Sequence, residues 1–202
     1  MKEVSIKELK NAATRMRMNV VDMIYKAQSG HPGGSLSAAD FVTACYFKYM
    51  NLDPQNPRWP DRDRMVLSKG HVCPIQYACL AAAGFFPVSE LDTLRKEGSK
   101  LQGHPSMTKC PGIDISTGSL GQGLACAAGM AMAAKMDRKD YKVFCVVGDG
   151  EAQEGEIWEA ANTASKYRLD NLITFVDFNN LQLDGACDEI MPNGDLGEKF
   201  RA

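Results

Sequence analysis

Ile6, Leu9, Ala13, Met16, Val20, Met23 and Ala27 recur at alternating three- and four-residue steps, the spacing of one face of a helix. The stripe covers barely three heptads, so it predicts a packed core face rather than a coiled-coil seam. Gly30-His31-Pro32-Gly33-Gly34 ends it. Ser37 followed by Asp40 then reads as a capping-box variant that opens a helix running to about Met50. Asn51–Arg64 carries Pro54, Pro57 and Pro60 without apolar periodicity, which marks a surface loop. A short strand at Met65–Ser68 precedes a helix from about Pro74 to Ala83, and Ser89 is placed to cap another helix to about Glu97. Gly98–Gly118 has no regular pattern, and a loop of that length suggests a functional one.

The second half is more sharply patterned. Val143–Val147 and Leu172–Val176 are continuous apolar runs, as expected of parallel strands buried on both faces. Glu154–Ser165 between them is built from helix formers, so the unit reads strand, helix, strand. Leu120–Met136 is the longest apolar stretch; its Ala and Gly content and its Gln122 suit a close-packed helix, and it is short for a membrane span. Ile190–Gly197 is loop-like, and Asp195–Ala202 begins a helix without room to finish it. No repeat, low-complexity tract or linker divides the chain. The expectation is one α/β domain over residues 1–202, a parallel sheet flanked by helices, incomplete at its carboxyl end.

Composition narrows the function classes. The net charge is −2 and no basic stripe occurs, which argues against a nucleic-acid or acidic-membrane partner. Seven scattered cysteines, odd in number and without a CxxC pair, read as buried thiols of a reducing compartment rather than disulfides or zinc ligands. With no apolar leader at the amino terminus, the expected location is the cytoplasm.

Both apolar runs end in residues suited to ligands: Gly148-Asp149-Gly150 after the first and Asn179-Asn180 after the second. In open α/β sheets ligands collect at the carboxyl ends of strands, so both tips should face one site. The stretch from Gly148 to Ser165 has no Lys or Arg but holds Asp149, Glu151, Glu154, Glu156 and Glu159. It therefore lacks the lysine of the usual GxxxxGK[ST] phosphate loop. A diphosphate would need a divalent cation to bridge it to the protein, and Mg²⁺ favours about six oxygen ligands including one or two carboxylates. All three histidines follow a glycine at a predicted turn: His31 in GHPGG, His71 in KGHV and His104 in GHPS. Imidazoles there suit hydroxyl binding and charge stabilisation near neutral pH.

GDGEAQEGEIWEA…DFNN closely resembles the thiamine-diphosphate motif of transketolases, which opens on GDG and closes on NN; here Asn179 lies 30 positions beyond Asp149. SGHPGGSLSAAD at 29–40, LSKGHVCPIQYACLAAAGFF at 67–86, LQGHP at 101–105 and STGSLGQGLACAAGMA at 116–131 extend the likeness over Asn11 to Ala202. The chain looks most like the separate amino-terminal subunit of two-subunit transketolases. The resemblance implies thiamine diphosphate held through Mg²⁺ (or Ca²⁺ or Mn²⁺), with Asp149, Asn179 and the Leu181 carbonyl as metal ligands. It implies Gly148 and Gly150 at the diphosphate, His71 against the diphosphate or thiazolium, and Gly118 and Leu120 at the aminopyrimidine. His31 and His104 would bind the donor ketose, and Glu154 would join a carboxylate network near a dimer interface. Ser119 departs from the proline that many relatives carry there but leaves the flanking glycines intact.

The same resemblance implies transfer of a two-carbon ketol group between sugar phosphates, in a homodimer of heterodimers with a carboxyl-terminal, pyrimidine-binding subunit. That partner would bring the glutamate that activates the cofactor ring, for which nothing in this chain stands. Two alternatives are a thiamine enzyme of the 1-deoxyxylulose-5-phosphate synthase or 2-oxoacid decarboxylase kind, and a truncated, non-catalytic binding module. GHPGGSLSAAD, LQGHP and the three histidines favour the sugar enzyme.

Overall fold

The structure is a computed structural model that describes residues 3–202. Helix α1 spans Ile6–Ala27 and opens with a full capping box. Ser5 Oγ accepts the Glu8 amide at 3.2 Å and Glu8 Oε2 accepts the Ser5 amide at 2.8 Å, so two otherwise orphaned donors are satisfied. Its stripe is the core face, with Ala13, Met16, Val20 and Met23 buried. A short helix α2 (Pro32–Ser37) and α3 (Ala39–Ala44) follow, and α3 runs into a π-turn over Cys45–Tyr49. The helix expected to open at Ser37 therefore starts earlier, because Pro32 has the fixed φ favoured in a first turn. Ser37 closes α2, and Asp40 pairs with Arg17 instead of capping.

Three strands make the parallel sheet in the order β1 (Arg64–Leu67), β2 (Val143–Gly148) and β3 (Leu172–Asp177). The register pairs Leu67 with Val146 and Gly148 with Asp177, so the carboxyl ends of the strands come level. Side chains alternate across the sheet and feed two cores. Met65, Leu67, Phe144 and Val146 pack with residues of α1, α3 and α4 (Cys73–Ala83). Val66, Val143, Cys145 and Val147 pack with α5 (Gln122–Met136) and α6 (Gly155–Lys166). The small residues Ala127, Ala128 and Ala131 let α5 lie close on the sheet.

After β3 the chain forms a small hairpin, β4 (Leu181–Gln182) and β5 (Gly185–Ala186), then α7 (Cys187–Ile190) and α8 (Leu196–Arg201). The helix expected from Ser89 is a 3₁₀ turn over Val88–Thr93 with no side-chain cap, set by burial of Leu91 and Leu94 three residues apart. Residues 94–121 carry no helix or strand, as the missing periodicity predicts. All seven cysteines are free thiols, six of them buried. Among the described residues no helix is long and apolar enough to cross a membrane.

Candidate functional site

The tips of β1, β2 and β3 and the loops after them form the site. Asp149 follows β2 and is 1% exposed. Its Oδ1 accepts the Gly150 amide at 2.9 Å, and its Oδ2 accepts the Asn180 amide. Its carbonyl accepts Asn193 Nδ2 at 2.9 Å. Asn179 Oδ1 accepts the Leu181 amide at 2.9 Å. The Asp149 carboxylate and the Asn179–Leu181 segment thus lie together, as the motif spacing predicts. Carboxylate, amide and carbonyl oxygens are hard donors suited to Mg²⁺. Among the described residues no three His, Cys, Asp or Glu side chains cluster as metal ligands.

The structure also brings the histidines together. His31 occupies the N-cap position of α2 without a side-chain capping bond, and its ring centroid lies 5.1 Å from that of His71, edge to face. His104 lines the same cleft against Gly118, where an added Cβ would sit 2.9 Å from the imidazole. Gly118 has φ +145°, which an L side chain rarely adopts, and Gly70 meets Thr117 and Gly118 backbone to backbone. The KGH and TGSLG segments therefore interlock.

Burial lowers the proton affinity of all three imidazoles. His71 is pushed down to about 4 by burial first, then by the neighbouring Lys69, His31 and His104. His31 is lowered by burial, then Arg95 and His104; His104 by burial, then Arg95. At neutral pH His71 is an uncharged imidazole, able to donate from one nitrogen and accept at the other.

A lysine does enter the site, from outside the acidic stretch that follows β2. Lys69 follows β1, is 2% exposed, and donates Nζ to Asp177 Oδ2 at 2.5 Å. Asp177, at the end of β3, also accepts Ser37 Oγ at 2.6 Å. Lys69 Nζ lies 3.6 Å from where a Gly34 Cβ would stand, and its Cδ 3.3 Å from that of Gly148. It therefore runs beneath the Gly148 tip with donors left over after Asp177. Lys69, Ser37 and Asp177 escape a sequence reading because the ion pair is 108 positions apart and no local pattern links its members.

Glu151 is the other omission. It is 3% exposed and accepts Ser68 Oγ at 2.5 Å, the Gly121 amide at 2.9 Å and the Gly148 amide at 3.0 Å. Burial raises its pKa against the pull of those three hydrogen bonds. Glu154, by contrast, is the exposed N-cap of α6 with its Cβ near Gly121. Leu120 is also exposed.

Three orphaned polar atoms test whether the site fits a polar ligand. His31 Nδ1 is buried without a partner on the cleft wall, as are Asn180 Oδ1 and Gln182 Nε2 next to Asp149. Buried polar atoms are normally satisfied, so these point to a missing polar partner. The residues fit a metal-diphosphate at one end and a hydroxylated substrate at the other.

Residues 8–202 match the family described as transketolase, thiamine diphosphate binding domain. A 6-deoxy-6-sulfo-D-fructose transketolase subunit from Clostridium sp. strain MSTE9 is 48% identical over 96% of this chain and 71% of its own length. An apulose-4-phosphate transketolase subunit from Phocaeicola vulgatus is 44% identical over 99% of this chain and 70% of its own. The crystal structure of transketolase from Campylobacter jejuni superposes with a TM-score of 0.92 at 36% identity, covering 98% of this chain and 32% of that one.

Proposed function

Since the chain belongs to the transketolase family through its thiamine-diphosphate-binding domain, we propose that it serves as the amino-terminal subunit of a two-subunit transketolase. It would act on sugar phosphates in the cytoplasm, in a homodimer of heterodimers with a pyrimidine-binding subunit. The convergence of the Asp149–Asn179 tip with all three histidines on one cleft carries this reading. The subunit character of the relatives named above, at 70% and 71% coverage of their lengths, favours a separate partner.

Asp149, Asn179 Oδ1 and the Leu181 carbonyl would hold Mg²⁺, with Gly148 and Gly150 giving the diphosphate close backbone access. Bound thiamine diphosphate supplies the carbon nucleophile and electron sink for breaking the C2–C3 bond of a ketose. Lys69 places a positive charge under the diphosphate end. His31 and His104 would orient the donor through its hydroxyl and carbonyl, aiming N–H donors where negative charge develops. Uncharged His71 can hydrogen-bond without adding charge to the cleft. Gly118 and Leu120 would flank the aminopyrimidine, and Glu154 would face the second half of the assembly. Glu151 already spends both carboxylate oxygens on protein donors. The glutamate that activates the cofactor ring would come, as the family resemblance implies, from the partner subunit.

Calorimetry on the assembled enzyme tests the metal end. Asp149→Ala removes a charged ligand and should abolish measurable Mg²⁺-dependent cofactor binding, whereas Asn179→Ala removes a neutral one and should weaken it less. Ketol transfer should need the partner subunit. Wild-type affinity in Asp149→Ala, or turnover by this chain alone, would overturn the assignment.

A further inference from the structure

We propose that Glu151 is a positioning residue that locks the three cofactor-facing segments into one preorganised surface; this rests on the cofactor reading above. Its carboxylate joins segments far apart in sequence. Ser68 leads into Lys69-Gly70-His71, Gly121 directly follows Gly118-Ser119-Leu120, and Gly148 opens the Gly148-Asp149-Gly150 tip. Each of those segments carries a group assigned to the cofactor; Thr117 Oγ1 donates to the Leu67 carbonyl at 2.7 Å and bridges two of them, but all three remain to be tied together. Glu151 does so with one side chain, by three charge-assisted hydrogen bonds in a dry environment.

The backbone packing around it shows how little slack exists. An added Cβ at Gly123 would stand 2.5 Å from Ser68 Cα, and one at Gly70 would stand 2.7 Å from the Gly118 amide nitrogen. Segments this close have no room for intervening water, so their register depends on the groups that bridge them. Two of the three donors are backbone amides, which can only donate. Only an acceptor on both oxygens satisfies them, and that requirement fixes the residue as an acid. Glu151 itself is sealed from the cleft, so its action on the cofactor runs through the segments it holds.

Glu151→Gln is the discriminating variant. Its shape is unchanged, but its amide nitrogen must oppose either the Gly148 or the Gly121 N–H, leaving that donor orphaned. The variant is assembled with the partner subunit in the full-length chain and titrated with Mg²⁺ and thiamine diphosphate by calorimetry. We expect the dissociation constant to rise about tenfold or more, the range seen when outer-shell partners of a metal site are removed. Turnover at saturating cofactor should stay within about threefold, because no reacting atom is touched. Should Glu151→Gln fail to fold, Ser68→Ala removes only the hydroxyl donor and should raise the constant by about threefold. A lowered melting temperature with wild-type cofactor affinity, in whichever of the two folds, would show a merely structural role and overturn the proposal. Absence of cofactor binding in the wild-type assembly would instead remove the cofactor reading on which it rests.

Discussion

Lys69→Met offers the sharpest test of the charge arrangement at the strand tips. The Lys69 ammonium and the Asp177 carboxylate are 2.5 Å apart, with side chains only 3% and 7% exposed. Removing the cation leaves a buried carboxylate whose one described side-chain donor is Ser37 Oγ at 2.6 Å. Breaking a buried pair by deleting one partner costs about 3–5 kcal/mol, because desolvation of the survivor is no longer offset. For a domain of this size each kcal/mol moves the melting temperature by about 2–4 °C. A fall of about 6–20 °C is therefore expected. Urea unfolding with linear extrapolation gives the free energy directly, and an unchanged slope shows that only stability moved. The pair's own contribution comes from a cycle with Asp177→Asn. Lys69→Met with Asp177→Asn removes both charges and should recover much of the loss seen in Lys69→Met alone. A single-variant loss under about 1 kcal/mol, the range of exposed pairs, or strict additivity in the cycle, would refute the buried-pair account.

In the assembled enzyme His31→Ala or His104→Ala should leave thiamine-diphosphate affinity near wild type while donor turnover falls by about 10²–10³; collapse of cofactor binding with unchanged donor kinetics at saturation would make these histidines diphosphate ligands. His71 gives a pH signature. Its folded pKa, about 4, lies below the ordinary 6.5, so on acidification the unfolded chain takes up the proton first. Its contribution to stability is complete above about pH 6.5 and is lost as pH falls towards 4. His71→Gln should flatten the difference in urea midpoint between about pH 7 and about pH 4.5, and an equally steep loss in that variant would place the titration elsewhere.

The elements that read true in sequence are those whose signal is local. The α1 stripe, the apolar run of β2 and the Ala-rich stretch of α5 each follow from a local pattern, whereas β3, expected to be buried on both faces, is an edge strand with Leu172–Val176 only partly buried. That the Gly-Asp-Gly and Asn-Asn tips meet is legible because parallel strands bring their carboxyl ends to one edge of the sheet. Ser37 and Ser89 mislead because each carries a cap signature that is overridden, by Pro32 in one case and by burial of Leu91 and Leu94 in the other. Lys69 with Asp177, and Glu151 with Ser68, Gly121 and Gly148, are illegible for another reason. Each buried charge is explained only by a partner that the sheet register brings level with it. An acidic run after GDG looks like a solvated helix start, yet Glu151 is sealed while Glu154 is exposed three residues on.

That split within one acidic run also sets the electrostatics of the site. Asp149, Glu151 and Asp177 contribute three formal negative charges at the tips of β2 and β3, and Lys69 contributes one positive. The protein alone therefore presents a net of about −2 to an arriving diphosphate, which would be repelled at the distances involved. Two of those negatives already have donors around them: Asp177 has Lys69 and Ser37, and Glu151 has Ser68 and two amides. Asp149 alone is held only by backbone amides and has lone pairs left to give. A divalent cation at Asp149, as proposed above, would cancel the remaining excess and turn the tip from repulsive to receptive. On the proposed reading, the buried network would make metal a precondition of diphosphate binding rather than an addition to it, with Asp149 the one of these three carboxylates left to take it.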